Sequence, residues 1–542
     1  MQRETRISTE ILVVGAGPVG LTLAFDLGRR GIACTLIDKK PAPEFLPKME
    51  RCNARTMEIF RRLGLAGAIR AAGLDRHVPM DVYIALAMNE PPLLHLPYPS
   101  VAKAEAQIAA CNDGSTPREP YQLISQYTLE PLLKAACERL PCVAVRYDHE
   151  FLSLSQDAGS AAAAIRGPDG RVVEIRARFI VGCDGGSSPV RKQLGIQLRG
   201  EGNLLRLHQA LYRAPDLFDR IPIGPGPGRG RHYHIADAQS TFLIMQDSTR
   251  HWTLHAVVQD ARDMAAQFER TIGVPVPYEM LHVGEWKQNL LLADRYGAGR
   301  VFLAGDSVHL VVPTGGLGMN TGVGDAIDLS WKLHGTLRGW GGPNLLQSYE
   351  IERRQIGERN LAASRYAALG RRTWRAEYRP NIRDATPEGQ ATRDQLVRVA
   401  NVEQRKTNEM IGAELSYRYA GSPILCEEPD GPEHQFREYL PTTWPGARLP
   451  HVWVEPGRSV HDLMGDGYTL LRLGRTRADT TGLETAMRAR GAPFEVTAID
   501  AGVPRDVYGY DLILLRPDLH VVWRGNRPPD DPARVAAVAT GF

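Results

Sequence analysis

The first forty residues constrain this chain more than any other stretch. Ile11 to Val14 is a β-branched strand, and Gly15-Ala-Gly-Pro-Val-Gly20 is a glycine turn. Leu21 to Arg29 has helical spacing, and Ala33 to Ile37 is a second strand. That order predicts a βαβ unit. Gly15 allows the tight turn, Gly17 lets the backbone approach a pyrophosphate, and Gly20 lets helix and strand pack closely. Pro18 belongs to the same turn. The helix N-terminus adds N–H donors and a positive dipole. Asp38 ends the second strand, where an acid bonds ribose hydroxyls, and Lys39 follows it. An acid here favours a free 2′-hydroxyl, as in FAD or NAD. The bland alternative is a tight turn with no ligand.

Two further elements repeat the theme. Phe179 to Arg191 (FIVGCDGGSSPVR) reads as a buried strand ending in Asp184-Gly185, then a helix start; alone it fits a capped turn as well as a site. Gly299 to Asp306 (GRVFLAGD) delivers an acid to a strand end, where α/β folds bind ligands. Pro313 to Gly318 then forms a stiff-then-flexible loop, and Gly322 to Leu333 a helix pointing at the same spot.

The 542 residues carry a net charge of +3 and a 43% apolar fraction, which suits several soluble domains and no nucleic-acid partner. No signal peptide and no run of the roughly 20 apolar residues needed for a membrane span is visible. The seven cysteines are scattered, odd in number and without metal-like spacing, which predicts free thiols in a reducing cytoplasm. Helices are expected over Thr56 to Leu63 and Tyr127 to Leu140. Short β-runs over about Asp81 to Ala110 and Asn203 to Trp286 predict an inserted, mostly antiparallel sheet domain with a mobile loop at Gly224 to Gly230. The chain then turns helical to about Ser416. After a proline-rich linker, Asp462 to Phe542 makes a separate small α/β domain.

The three glycine- and acid-bearing motifs, in this order, resemble the class A flavoprotein aromatic hydroxylases, typified by p-hydroxybenzoate hydroxylase and phenol hydroxylase. Leu46 to Glu58 (LPKMERCNARTME) adds to the likeness. The C-terminal domain resembles the thioredoxin-like tail of the phenol hydroxylase branch, but it has no CxxC, so thiol exchange there is excluded; a packing or dimer role remains.

The resemblance implies an α/β fold: an FAD-binding Rossmann-like domain with an inserted antiparallel-sheet substrate domain and a C-terminal thioredoxin-like domain. FAD-binding parts fall at 1–80, 111–202 and 287–345, substrate-sheet parts at 81–110 and 203–286, a helical region and linker at 346–440, and the thioredoxin-like domain at 441–542. The first loop and Asp38 would hold the ADP part of FAD, Gln126 the ribityl or phosphate region, and Asp184 and Gly185 both FAD and the nicotinamide cofactor. Asp306 would bond a ribityl hydroxyl, and Pro313 with Gly316, Leu317, Gly318, Met319 and Asn320 would run beside the flavin ring. Lys48 and Arg55 are candidates for the pyrophosphate. The implied reaction has NADH or NADPH reduce FAD, O2 add to the reduced flavin, and a flavin C4a-hydroperoxide hydroxylate a phenolic or polycyclic aromatic compound. Glycines on both sides of Leu317 would suit a flavin that moves between positions.

Phenols react better as phenolates, so a nearby base helps. Glu50 aligns with an active-site acid and is the candidate, with Arg51 and Pro313 as further catalytic residues. The competing reading is a surface acid paired with Arg51 or Arg55. Strand period puts Thr253 and His255 on one face and Trp252, Leu254 and Ala256 on the other. Thr253 and His255 are therefore substrate-pocket candidates. His232 and His234 share a face of another strand, where solvent exposure is an equal expectation. No metal site is expected, and His309 reads as a structural histidine. The rival functions are a flavin oxidase or reductase without oxygen insertion, and a non-enzymatic flavin-binding protein. A cytoplasmic protein acting on a small aromatic substrate and O2, with a homodimer open, completes the expectation.

Overall fold

The computed structural model describes residues 6–433, 435–475, 478–500 and 502–542. Its first sheet is built on the strand Arg6–Val14, which pairs in parallel with Cys34–Ile37 on one side and Val172–Gly182 on the other. Val143–Arg146 extends it beyond Cys34–Ile37, and Val301–Leu303 beyond Val172–Gly182, both in parallel. Ile11, Leu12, Val13, Leu36 and Ile180 have no exposed surface. This is the continuous apolar run of a parallel sheet covered on both faces. The helix Pro18–Arg29 covers it together with the helix Gly318–Leu337.

Gly318–Leu337 begins four residues before the expected Gly322. The side chain of Asn320 donates to the Gly316 carbonyl at 2.6 Å, and Thr321 N–H reaches the Leu317 carbonyl at 2.8 Å. These bonds complete the first turn, so Gly318, Met319 and Asn320 are helical rather than loop.

A second, seven-stranded sheet runs in the order Glu279–Lys287, Arg206–Arg213, His251–Ala256, Phe242–Met245, His232–Ile235, Val82–Ala85, Leu94–Leu96. Pairing is antiparallel except between His232–Ile235 and Val82–Ala85. Tyr212, Leu243, Trp252 and Leu254 pack one face against Phe268 of the helix Asp263–Ile272. Within 81–110 the sheet expectation holds only for the two strands. Val101–Ala110 is a helix, started by Ser100 accepting from Lys103 N–H, because its alanine, lysine, glutamate and glutamine residues are good helix formers.

Beyond the long helix Pro343–Arg375 and the helix Pro387–Glu403, the C-terminal unit forms a four-stranded sheet, order Phe494–Ile499, Tyr468–Leu473, Leu512–Leu515, Val521–Gly525. Its first pair is parallel and the others antiparallel. It docks on the flavin-side helices through Trp331, Trp340 and Leu345 against Tyr468, Leu470 and Leu512. Buried charges reinforce the contact. Arg516 donates to Glu352 at 2.6 Å, Asp328 at 3.0 Å and Asp518 at 2.6 Å. Lys332 donates to Asp328 at 2.7 Å and Glu352 at 2.6 Å.

Candidate active site

The register of the first sheet gathers the three motifs. Val14 pairs with Ile37 and with Gly182, and Gly182 pairs with Leu303, so the strands end in line. The loops carrying Gly15, Asp38, Asp184 and Asp306 therefore emerge at one edge. Gly15 has φ +107°, and a Cβ there would lie 2.3 Å from the Cys183 carbonyl oxygen. A Cβ on Gly20 would lie 1.9 Å from the Gly15 oxygen. Only glycine fits either place. At Gly17 a Cβ would meet only Glu130 Oε1, at 3.9 Å. Its constraint is thus not internal packing, which suits a backbone that a pyrophosphate approaches.

Asp38 accepts from Ala16 N–H at 2.8 Å and from Lys40 N–H at 3.0 Å, while Lys39 is exposed beside it. Gln126 donates to Glu130 Oε1 at 2.6 Å. Burial raises the pKa of Glu130; its hydrogen bond from Gln126 and the charges of Lys40 and Lys48 oppose the rise. Asp184 accepts from Val190 N–H through Oδ2 at 3.1 Å, and its Oδ1 is buried without a partner. Asp306 makes no hydrogen bond among the described residues. It is open to the groove yet walled by protein, and this crowding raises its pKa against the charges of His309 and Lys48. Lys48 pairs with Glu44 at 3.5 Å, and its charge acts on both Glu130 and Asp306. An orphaned carboxylate oxygen, an unbonded acid and an open glycine backbone in one groove fit FAD. His309 donates through Nε2 to Asp325 at 2.9 Å, and Asp325 also accepts from Arg353 at 2.8 Å and from Gly305 N–H at 3.0 Å. That is the structural histidine expected.

The glycine-rich loop is fastened rather than slack. Gly315 and Gly316 have φ of +92° and +67°. Arg51 Nη2 donates to the Gly315 carbonyl at 2.8 Å and lies 3.4 Å from Glu414. Asn320 accepts from Asn53 N–H at 2.9 Å and donates to the Arg51 carbonyl at 3.2 Å. Leu317 is buried against Ala363, Ala367 and Met410, whereas Pro313 is exposed. Arg55 turns away from this groove: it donates to the Asp518 carbonyl at 3.1 Å and lies 3.4 Å from the Tyr417 hydroxyl.

Thr253 and His255 do share a sheet face. Across the strands, His232, Ile244, Thr253 and Leu211 form one row, and His234, Phe242, His255 and Gln209 the next. Of the two alternatives for His232 and His234, a shared sheet face or solvent exposure, the structure shows burial: His232 is 3% and His234 0% exposed. Trp374, Arg375 and Gln404 cover His234, with Gln404 at 3.2 Å and Arg375 at 3.4 Å from its ring nitrogens. Both nitrogens of His232, Thr253 Oγ1 and His255 Nδ1 are buried without partners. Burial pushes the His255 pKa down to about 3 and holds His232 and His234 well below the usual histidine range. The His255 ring stacks on Phe242 at 4.5 Å. Glu50 pairs with neither Arg51 nor Arg55 but accepts from Arg231 Nη2 at 2.8 Å, leaving Oε2 buried and unpartnered. The structure thus brings Glu50 to the histidine face, and its neighbour Arg51 to the flavin loop.

Residues 8–364 match the FAD binding domain family, and residues 442–541 match the aromatic-ring hydroxylase C-terminal family. The chain belongs to the FAD-dependent aromatic-ring hydroxylases. It is 32% identical to the FAD-dependent monooxygenase apdD of Emericella nidulans, with 98% of this chain and 90% of the relative covered. It is 30% identical to 4-methyl-5-nitrocatechol 5-monooxygenase of Burkholderia sp, with 97% of each covered. The solved structure of the rebeccamycin biosynthetic enzyme RebC with reduced flavin superposes with a TM-score of 0.89 at 30% identity, over 99% of both chains.

Several residues of this hydroxylase's site escaped the sequence reading. Glu130 lies four residues after Gln126 on one helix, so helical spacing alone could have found it. Arg231, immediately before a recognised strand, was accessible only through the strand pairing that carries it to Glu50. Gln209 comes from a distant strand, and no local pattern distinguishes it.

Proposed function

We propose that this hydroxylase uses NADH or NADPH and O2 to add one oxygen atom to a phenolic or polycyclic aromatic compound bound on the histidine face of the second sheet. FAD, when bound, supplies the redox and oxygen chemistry. The observation that carries the reading is the adjacency of Glu50 and Arg51. One side chain reaches the sheet through Arg231, and the other reaches the flavin loop through Gly315.

The residues then divide the work. Asp38, Lys48, Gln126, Asp184 and Asp306 orient the cofactor in the groove, and Arg51 and Asn320 hold the loop beside its ring. Pro313 sits at the exposed start of that loop. Glu50 Oε2 accepts the proton of the substrate hydroxyl, and Arg231 stabilises the resulting charge and keeps Glu50 in place. Thr253 and His255 line the aromatic ring, with His255 neutral and able to donate or accept one hydrogen bond. Buried Leu317 and the helix Pro343–Arg375 shield the site from water, which a reactive oxygen donor requires. The relative named for a nitrocatechol supports a phenolic substrate. Seven free cysteines fit a reducing cytoplasm. Among the described residues no helix is long and apolar enough to cross a membrane.

A panel of phenols and fused-ring hydroxyarenes tests the proposal. At least one should accelerate NAD(P)H oxidation and yield a product heavier by one oxygen. Stoichiometric H2O2 with every compound would overturn it in favour of an oxidase.

A further inference from the structure

Asp306 faces the flavin groove without a hydrogen-bond partner among the described residues, so only the backbone on either side can aim it. That backbone is a single turn, Gly305–Ser307, entered by Gly305 at φ +68°. One buried acid clasps the chain on both sides of Asp306. Asp325 Oδ2 accepts from Gly305 N–H at 3.0 Å and from His309 Nε2 at 2.9 Å. Two other groups hold the middle. Arg191 Nη1 donates to the Ser307 carbonyl at 2.9 Å, and the Ser307 hydroxyl lies 2.8 Å from the Gly182 and Ala304 carbonyls. The helix Gly318–Leu337, which carries Asp325, also presses directly on the turn: a Cβ on Gly322 would lie 3.0 Å from Gly305 Cα.

Asp325 is held in turn by Arg353 of the helix Pro343–Arg375. Arg353 Nε donates to Asp325 Oδ1 at 2.8 Å, Nη2 to the Thr321 carbonyl at 3.0 Å and Nη1 to the Tyr419 hydroxyl at 3.0 Å. Burial alone would raise the Asp325 pKa, but the Arg353 charge and the bonds from His309 and Gly305 hold it below the usual carboxylate range. Gly324 leaves room for the guanidinium, since a Cβ there would lie 2.7 Å from Arg353 Nη2. Tyr419 belongs to the C-terminal interface: the Arg516 guanidinium carbon lies 4.9 Å over its ring, and the His520 ring centre is 4.6 Å away. Asp325, Arg353 and Tyr419 are each at most 1% exposed, and they act on the groove only through the turn.

A binding group with no partner of its own is precise only if its support is rigid. A preset geometry also spares the ordering cost that binding would otherwise carry. We propose that Asp325 and Arg353 are positioning residues that aim Asp306 at FAD, and that the C-terminal unit braces them through Tyr419. The inference rests on the reading of Asp306 as a cofactor-binding acid. It gives the C-terminal unit, which lacks CxxC, a part in cofactor retention without any thiol chemistry.

The test measures FAD dissociation from the loaded full chain, read as recovery of flavin fluorescence on dilution. The variants are Tyr419→Phe and Arg353→Lys, each with and without Asp306→Ala. Tyr419→Phe deletes one hydroxyl and should weaken FAD binding about 3- to 10-fold, the size of one hydrogen bond. Arg353→Lys keeps the charge but loses the fork, and should weaken it about 10- to 100-fold. Beside Asp306→Ala neither change should weaken FAD binding further, because the acid they aim is gone. Losses that simply add in the double variants overturn the proposal and leave a general structural role, as does unchanged affinity in folded Tyr419→Phe. If Arg353→Lys does not fold, the Tyr419→Phe pair of measurements decides alone. If Asp306→Ala by itself leaves FAD affinity normal, the assignment of Asp306 fails and this inference with it, while oxygen transfer to the aromatic panel tests the hydroxylase function separately.

Discussion

Arg51 and Gly315 are joined by a 2.8 Å hydrogen bond from guanidinium to backbone carbonyl across 264 residues of sequence. The bond fixes a glycine at φ +92° in the loop that runs toward the flavin groove. A buried arginine here is therefore a fastener as well as a charge.

Arg51→Met should loosen that loop while leaving the fold intact. The lost charged hydrogen bond is worth about 1.5–3 kcal/mol, so FAD should dissociate roughly 10- to 100-fold more readily. Flavin fluorescence recovery on dilution measures it. An unchanged FAD affinity would mean that the loop's position does not depend on this bond.

Asp306→Ala removes the acid that faces the groove without a hydrogen-bond partner. Folded but colourless protein is expected, with near-native far-UV circular dichroism and FAD affinity lowered by about 10- to 100-fold. A yellow variant of normal affinity refutes the assignment.

Glu50→Gln keeps the shape and the bond from Arg231 but abolishes the base. Hydroxylation should slow by about 10²–10⁴ and lose its dependence on pH, with FAD binding unaffected. If the pH profile is the same as before, the base lies elsewhere.

Arg516→Met leaves Asp518 buried without its arginine and Asp328 and Glu352 with Lys332 alone, each acid being at most 4% exposed. Breaking a buried charge network in this way costs about 3–5 kcal/mol. Denaturant unfolding should show a lowered midpoint, and an unchanged one would show that apolar docking through Trp331 and Tyr468 suffices.

Acid should destabilise the fold below the ordinary histidine range. His255 and His451 are buried, with pKa values pushed down to about 3, burial being the first cause in each. The unfolded chain binds these protons near pH 6.5 while the folded one does not. Stability is thus complete above about pH 6.5 and is lost at roughly 1.4 kcal/mol per histidine per pH unit as pH falls toward 3. Urea titrations at pH 7, 6 and 5 read the slope, and replacing His255 by Gln should reduce it.

Local chemistry made much of this molecule legible. The glycines at 15, 17 and 20 predicted their turn because backbone sterics are a property of a few adjacent residues. Alternation along His251–Ala256 assigned Thr253 and His255 to one face because a strand repeats every two residues. Where local signals competed, reading failed. Val101–Ala110 lies between stretches of strand texture, yet its own composition favours the helix that it forms. Burial and exposure of the two histidines beside the Gly224 to Gly230 loop are equally open from the sequence, because nothing nearby announces that Trp374 and Gln404 cover His234.

The sequence by itself determined the dinucleotide fold, the three acids Asp38, Asp184 and Asp306 at strand ends, and membership of a flavin-dependent family. Each of these depends on short-range spacing. Only the tertiary structure decided that Glu50 answers to Arg231, that Arg51 holds Gly315, and that Arg55 belongs to the C-terminal interface. Partner choice among buried charges is settled by which side chains the packed helices and sheets bring within about 3–4 Å of each other, where the attraction in a desolvated setting is strong. That proximity is written across hundreds of residues of chain and in no single stretch of it.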